Sequence, residues 1–269
     1  MTGVAKRTIL KLLADMAKLS LAVHDEMVRG LRSERLQFDE IWSFIQCKQK
    51  NAARSKNPDA GDAWTWTCID ADTKLMGAWL VGERTSENAH EIMLDVAGRV
   101  VTPRVQISTD GLNSYRSAVW DTFGDEVDFG MVWKVYGVTP RDPSTRYSPA
   151  PCVGCIRRRM SGEPVRKHIS TSFVERANLS MRMGMRRFTR LTNAFSRKLD
   201  NHRAAVASGQ RLQSGRAFSG REQSAGSGRQ AGHPAAVCVS HVGHRGGSLF
   251  ALERSVVERG VAHRPCAVQ

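Results

Sequence analysis

The sequence predicts an α/β domain built on a mixed sheet with flanking helices. Three observations carry that prediction. Short apolar stretches rich in β-branched and aromatic residues recur between about residues 35 and 136, segments of helical period separate some of them, and turn residues such as Asp70 to Thr73 and Asp110-Gly111 punctuate the connections. "RLQFDEIWSFIQCK" alternates apolar with polar residues and reads as a strand, and "DAWTWTCIDADTKLMGAWLVGERT" reads as two strands around a turn. "SENAHEIMLDVAGRV" follows as a helix, "RVQISTDGLNSY" as a strand running into a turn, "YRSAVWDTFG" as a helix and "EVDFGMVWKVYG" as a strand. A polar insert from about Thr139 to Lys167 then leads to "ISTSFVERANLSMRMGMRRFTRLTNAFSRK". This last stretch is expected to form one long cationic helix, opened by a capping box of Ser172 and Glu175.

Ahead of the sheet, Val4, Ile9, Leu12, Leu13 and Met16 recur at nearly helical spacing, with Thr2 as a candidate N-cap and Lys6, Arg7 and Lys11 on other faces. Two helices separated near Ala17 to Ser20 would make the second half of a helix-turn-helix, the part that enters a DNA groove. The expected organisation is therefore a partial helix-turn-helix over residues 1–33, the α/β domain over 34–205 and a low-complexity, disordered tail over 206–269. The tail is rich in Gly and Ser without a sustained period. Residues 199–269 hold nine Arg and no Lys, against 21 Arg and 10 Lys in residues 1–198, as expected of a G+C-rich gene read out of frame. A frameshifted tail is the resulting expectation, and sequencing the locus tests it.

A formal charge of +14 and a pI near 10.1 point to a polyanionic partner, with nucleic acid first, because clustered Lys and Arg release counterions from phosphates. No apolar run approaches the roughly 20 residues that span a bilayer, and the start is amphipathic and unlike a secretory signal, so no membrane partner and a cytoplasmic, DNA-accessible location are expected. The six cysteines are too sparse for a disulfide scaffold and are expected to be reduced. Cys152-Val-Gly-Cys155 is half of a zinc site with no second pair at finger-like spacing. Trp42, Trp64, Trp66 and Trp79 stand in apolar strands and are expected in the core. His90 and His168 have no evident partner in the sequence.

Three acids form a possible constellation: Asp39 inside an apolar strand, Asp110 at the end of another, and Glu175 in the first turn of a late helix. Separately they read as an edge-strand charge, an Asp-Gly turn and a cap. Together they suit two hard divalent ions such as Mg²⁺, which can hold the attacking and leaving oxygens of a phosphoryl displacement. If the two Asp-bearing strands pair, a helix crossing their ends delivers Glu175, which is the arrangement of a ribonuclease-H-like nuclease core. Glu40 is the alternative to Asp39; strand alternation allows only one of the two into the site, and Asp39 is chosen.

"FDEIWSF", "WTWTCIDADTKLMGAWLVGERT", "STDGLNSY" and "TSFVERANLSMRMGMRRFTRLTNAFSRKL", in this order, resemble the bacterial DDE-type transposases of the insertion-sequence-one group over about residues 2–205. ERxNLxxR followed by RLTNAFS is the most specific part. The resemblance implies a ribonuclease-H-like domain in which Asp39, Asp110 and Glu175 bind two Mg²⁺ or Mn²⁺ ions, cleave transposon ends with water and direct the freed 3′-hydroxyl at target DNA. It also implies a nucleoid-associated bacterial enzyme acting on double-stranded DNA, as a homo-oligomer when two ends are synapsed. Arg182, seven residues after Glu175, shares its helix face and matches the basic residue such enzymes carry there to hold the DNA backbone. Arg176, Arg186, Arg187 and Arg190 would add phosphate contacts. Asn178 and Asn193 match family positions without an assignable chemistry. Such proteins also carry more chain before the first helix and an aromatic, helical segment after "RLTNAFSRKLDNHRAAVA", so a clipped, inactive remnant that binds DNA non-specifically is the alternative. A ribosomal or RNA-binding protein fits the charge but leaves the three acids unexplained.

Overall fold

A computed structural model of the chain describes residues 3–137, 150–188 and 194–210. Thr2, Arg190, Asn193 and nearly all of the expected tail lie outside these residues. The elements are α1 (Lys6–Met27), β1 (Arg35–Ile45), β2 (Gly61–Asp70), β3 (Met76–Gly82), α2 (Ser86–Ala97), β4 (Val105–Asp110), α3 (Ser114–Phe123), β5 (Val127–Tyr136), β6 (Cys152–Ser161), α4 (Ser172–Gly184) and a helix over 199–210, here α5. The strands form one six-stranded mixed sheet in the order β3-β2-β1-β4-β5-β6. β1, β4 and β5 run parallel, while β2, β3 and β6 are antiparallel to their neighbours.

One face of the sheet packs on α2 and α3. Leu36, Phe38, Trp66, Ile107, Phe129 and Met131 meet Ile92, Met93, Tyr115 and Val119 there, all essentially without solvent contact. Burial of this many large apolar groups, each contributing about 1.5–3 kcal/mol, is the main stabilising term. On the other face, Ile41 and Val81 pack on Met181 of α4, Phe188 and Val206 of α5. Of the four tryptophans expected in the core, Trp66 is fully buried and Trp79 is packed between clusters, whereas Trp42 and Trp64 are half-buried beneath the cations Lys48 and Arg84.

Three expectations are corrected. α1 is one continuous helix of 22 residues, with no break between Ala17 and Ser20. Nothing there breaks a helix; the small side chains instead let α1 approach the body closely, Ala17 against Ala204 and Ala207 of α5. The chain passes from α1 directly to β1, so no helix-turn-helix forms among the described residues, and Ala5, not Thr2, stands at the N-cap. The cationic helix is also shorter than expected, because α4 ends at Gly184 and gives way to a 3-10 turn over Arg186–Phe188. Finally, the polar insert contains a strand, β6, on the sheet edge. No helix among the described residues is long and apolar enough to cross a membrane.

Candidate active site

The site arises where two parallel strands part. β1 and β4 pair only from Arg35–Gln37 against Gln106–Ser108; beyond that, β1 continues along β2 and β4 along β5. Asp39 and Asp110 each lie two residues past the last pair, Gln37 and Ser108, so alternation puts both on the α4 face at the mouth of the gap. Asp110 then turns the chain, its Oδ1 accepting from the Leu112 amide at 3.1 Å.

Glu40 was expected to be excluded by alternation, and the structure corrects this. One carboxylate oxygen each from Asp39, Glu40 and Asp110 lie within 4.8 Å of one another, the only such cluster among the described residues. The gap between β1 and β4 explains it: no strand separates the two faces there, so an inward Glu40 still meets its neighbours. Its side chain is 1% exposed, and Arg84 grips Oε2 through Nη2 at 3.0 Å and Nε at 3.2 Å. Oε1 and the buried Tyr115 hydroxyl lie close by one another without a well-formed hydrogen bond. Arg84 also approaches Asp110 at 3.8 Å and lies 4.8 Å over the Trp64 ring. Sequence reasoning missed Arg84, 44 residues from Glu40 in the chain.

Burial and mutual repulsion keep these acids hard to ionise. Burial pushes Glu40 up to about 8, helped by Asp110 and Asp39 and opposed by Tyr115 and Arg84. Burial likewise raises Asp39 to about 6; the Asn178 hydrogen bond opposes the shift, while Asp110 and Glu175 add to it. Asp110 is also raised, chiefly by burial, against the pull of the Leu112 amide and Arg84. Because the folded pKa of Glu40 lies above its unfolded value, its contribution favours the fold below about pH 4.5 and is lost as pH rises through about 8. Glu40→Gln removes that buried charge and keeps an oxygen for Arg84. In EDTA at pH 8 it is expected to stabilise the protein by about 1–2 kcal/mol, with a raised Tm that fades at pH 5.

α4 brings the third predicted acid. Val174, Asn178 and Met181 form its buried stripe, and Glu175 and Arg182 flank that stripe on one side. The expected capping box is absent: Ser172 is inside the helix, and its amide donates to Ser170. The cap comes from the sheet, where Gln37 Oε1 accepts from the amides of Phe173 and Val174 at 2.9 and 3.2 Å. This satisfies two unpaired helix-start donors and ties α4 to the strand that carries Asp39. Gly130 lets the chain before α4 sit close, since a Cβ there would lie 2.7 Å from the Ile169 side chain.

Glu175 is close enough to raise both Asp39 and Asp110 but lies outside their 4.8 Å cluster. Its Oε2 pairs with Lys134 of β5 at 2.5 Å, and its Oε1 accepts from Thr171. Burial, the largest single influence, lowers the Lys134 pKa, but the hydrogen bond and charge of Glu175, with Tyr136 and Asp39, together raise the group overall. Asn178 acquires a role: its Nδ2 donates to Asp39 Oδ2 at 2.9 Å, and its Oδ1 lies 3.1 Å from the Thr67 hydroxyl.

The remaining predicted residues are dispersed. Arg182 is half-buried on α4 on the Glu175 side, and Arg176 and Arg186 are exposed. Arg187 is turned inward and donates to Ser196 at 2.8 Å, which occupies it in packing. Lys6, Arg7 and Lys11 are exposed on α1. His90 pairs with Asp121 at 2.7 Å, and the His168 carbonyl accepts from Ser108. Cys152 and Cys155 are free and exposed on β6, with no third Cys or His gathered to them among the described residues.

No protein-family description matches the chain, and no curated protein matches it. Among solved structures it is similar to a piggyBac transposase in a synaptic complex with hairpin DNA, at 13% identity and a TM-score of 0.37. The similarity covers 75% of this chain and 50% of that one, so the chain spans about half the length of the protein it matches.

Proposed function

We propose that this chain is a metal-dependent DNA strand-cleaving and strand-transferring enzyme, a DDE-type transposase of insertion-sequence ends built on a ribonuclease-H-like sheet. The observation that carries the proposal is the convergence of Asp39, Glu40 and Asp110 within 4.8 Å at the parting of β1 and β4, with Glu175 beside them on α4. An all-oxygen donor set suits hard ions such as Mg²⁺ or Mn²⁺. Asp39, Asp110 and Glu175 would hold them, and Glu40 offers a further oxygen. Bound there, a pair of such ions would supply the positive charge that stabilises the attacking and leaving oxygens at phosphorus.

The chain's own residues set the geometry. Asn178 fixes Oδ2 of Asp39 and leaves Oδ1 for the site, and the Leu112 amide fixes Oδ1 of Asp110 and leaves Oδ2. Lys134 and Thr171 each hold one oxygen of Glu175. Arg182, on the Glu175 side of α4, would hold the DNA backbone, with Arg176 and Arg186 adding phosphate contacts. Joining two DNA ends requires at least two copies of the chain.

A second reading, a non-catalytic DNA-binding remnant, is favoured by Arg84 and Lys134, whose cations already pair with the carboxylates. Incubating the full chain with labelled terminal-repeat duplex in Mn²⁺ or EDTA separates the two. Nicking that needs the metal supports the enzyme; DNA retention without nicking in either condition supports the remnant.

A further inference from the structure

The hairpin of β5 and β6 leaves the core on the side where the carboxylates lie. Past Trp133 its strands are exposed at Lys134, Val135 and Tyr136 and at Cys152, Val153 and Cys155 to Arg159. The register places Asp110, Val132 and Arg157 in one row across β4, β5 and β6 on the α4 face, with Lys134 and Cys155 paired in the next row of that face. A bulge at Val153 brings Cys152, opposite Tyr136, onto the same face.

The charge of this ribbon has one sign. Residues 133–137 and 152–160 carry Lys134, Arg157, Arg158 and Arg159 and no acid. Arg158 leans over Trp133 on the opposite face, at 5.5 Å, and Arg159 pairs with Glu163 at 2.7 Å. Arg157 forms no ion pair among the described residues and points to the carboxylate side.

We propose that the β5–β6 ribbon is a DNA-docking surface, with Arg157 as its main phosphate contact and Lys134 where the ribbon meets the acids. This rests on the nucleic-acid reading above and deepens it by naming the surface along which the backbone reaches the site. A two-stranded ribbon fits a DNA groove, a guanidinium grips a phosphate through two parallel N–H bonds, and the polyanion supplies the charge the ribbon lacks. The exposed Cys152 and Cys155 report on contact without any substitution.

The test uses the full chain and a 30-base-pair duplex, with alkylation of each cysteine followed by peptide mapping. Saturating DNA is expected to slow alkylation of Cys152 and Cys155 about fivefold or more and to leave Cys47 unchanged. Arg157→Glu is expected to weaken duplex affinity about tenfold, and Arg157→Ala to reduce the slope of log affinity against log salt by about one. Arg116→Glu, on exposed α3, is the control and is expected to change neither. Duplex that binds at full affinity without protecting either thiol, Arg157→Glu that behaves like the control, or protection by RNA and not by DNA overturns the proposal. Protection without nicking overturns the enzymatic reading and leaves this surface standing; nicking with unprotected thiols does the reverse.

Discussion

Asp110→Asn is expected to abolish Mn²⁺-dependent nicking, by about a thousandfold or more, while DNA affinity and Tm stay near those of the unaltered chain. The loss corresponds to about 4 kcal/mol of transition-state stabilisation, the scale expected when a metal-holding carboxylate becomes an amide. The fold should survive for a local reason. Asp110 ends β4 and accepts from the Leu112 amide at 3.1 Å, and an Asn side-chain oxygen can accept the same bond in the same turn. Removing the charge also relieves the crowding that raises Asp39 and Glu40, so any change in Tm in EDTA should be upward. On the proposed docking surface, DNA affinity would come from Arg and Lys side chains and not from Asp110, so it should hold. The decisive measurement is the single-turnover nicking rate with affinity measured on the same preparation. An Asp110→Asn variant that nicks within about tenfold of the unaltered chain would remove Asp110 from the chemistry.

The same carboxylates show how far the sequence reaches. Asp39 was legible because it interrupts an apolar strand at a position where an unpaired charge is costly, Asp110 because it ends another strand at an Asp-Gly turn, and the order of strands and helices from β1 to β5 followed from periodicity. Glu40 was not legible. Its exclusion assumed an unbroken sheet, and the parting of β1 from β4 is a tertiary fact that no local pattern carries. Gln37 as the cap of α4, Arg84 on Glu40 and Lys134 on Glu175 link residues 136, 44 and 41 positions apart, beyond any local motif. Strand β6 escaped because an exposed edge strand buries too little to show alternation, and "CIRRRM" reads as polar insert. Ala17 and Ser20 misled in the opposite direction, since small residues that look like a break are what lets α1 sit close to the body.

Acidification from pH 7 to about 4.5 is expected to cost stability at two buried histidines, His24 and His202. His24 of α1 lies 3.2 Å from the Gly77 carbonyl of β3, with its ring 4.3 Å from that of Trp79. His202 of α5 is fully buried between Ser43 of β1 at 3.1 Å and Ser196 at 3.0 Å. Ser43 gives its proton to the Ala63 carbonyl, so it accepts from the ring, and the other ring nitrogen accepts from Ser196. The His202 ring is thus used neutral. Burial, reinforced by Arg99 beside His24 and by Arg187 and Arg203 beside His202, depresses each to about 4. A histidine held below its unfolded value of about 6.5 gives stability that is complete above that value and lost as pH falls toward the folded one. Each should cost roughly 2–3 kcal/mol by pH 4.5 at about 1.4 kcal/mol per pH unit. Asp39, Glu40 and Asp110 oppose this, because their raised pKa values make protonation favour the fold over the same window, so the net change is far smaller than the sum of the two histidines. Urea denaturation at pH 7 and pH 4.5 measures the net change, and His24→Gln/His202→Gln should shift that change in favour of the fold at pH 4.5, since Gln can donate to the Gly77 carbonyl and to Ser43 without titrating. A change between the two pH values that is the same in the double variant and the unaltered chain would remove the histidines from the acid response. The location of the two rings adds a spatial expectation: they fasten α1 and α5 to the face of the sheet that carries α4, whereas among the described residues no histidine is buried on the α2–α3 face. Acid should therefore loosen the α1–α5 layer first, and backbone amides of α1 and α5 should lose hydrogen-exchange protection at a higher pH than those of α2 and α3.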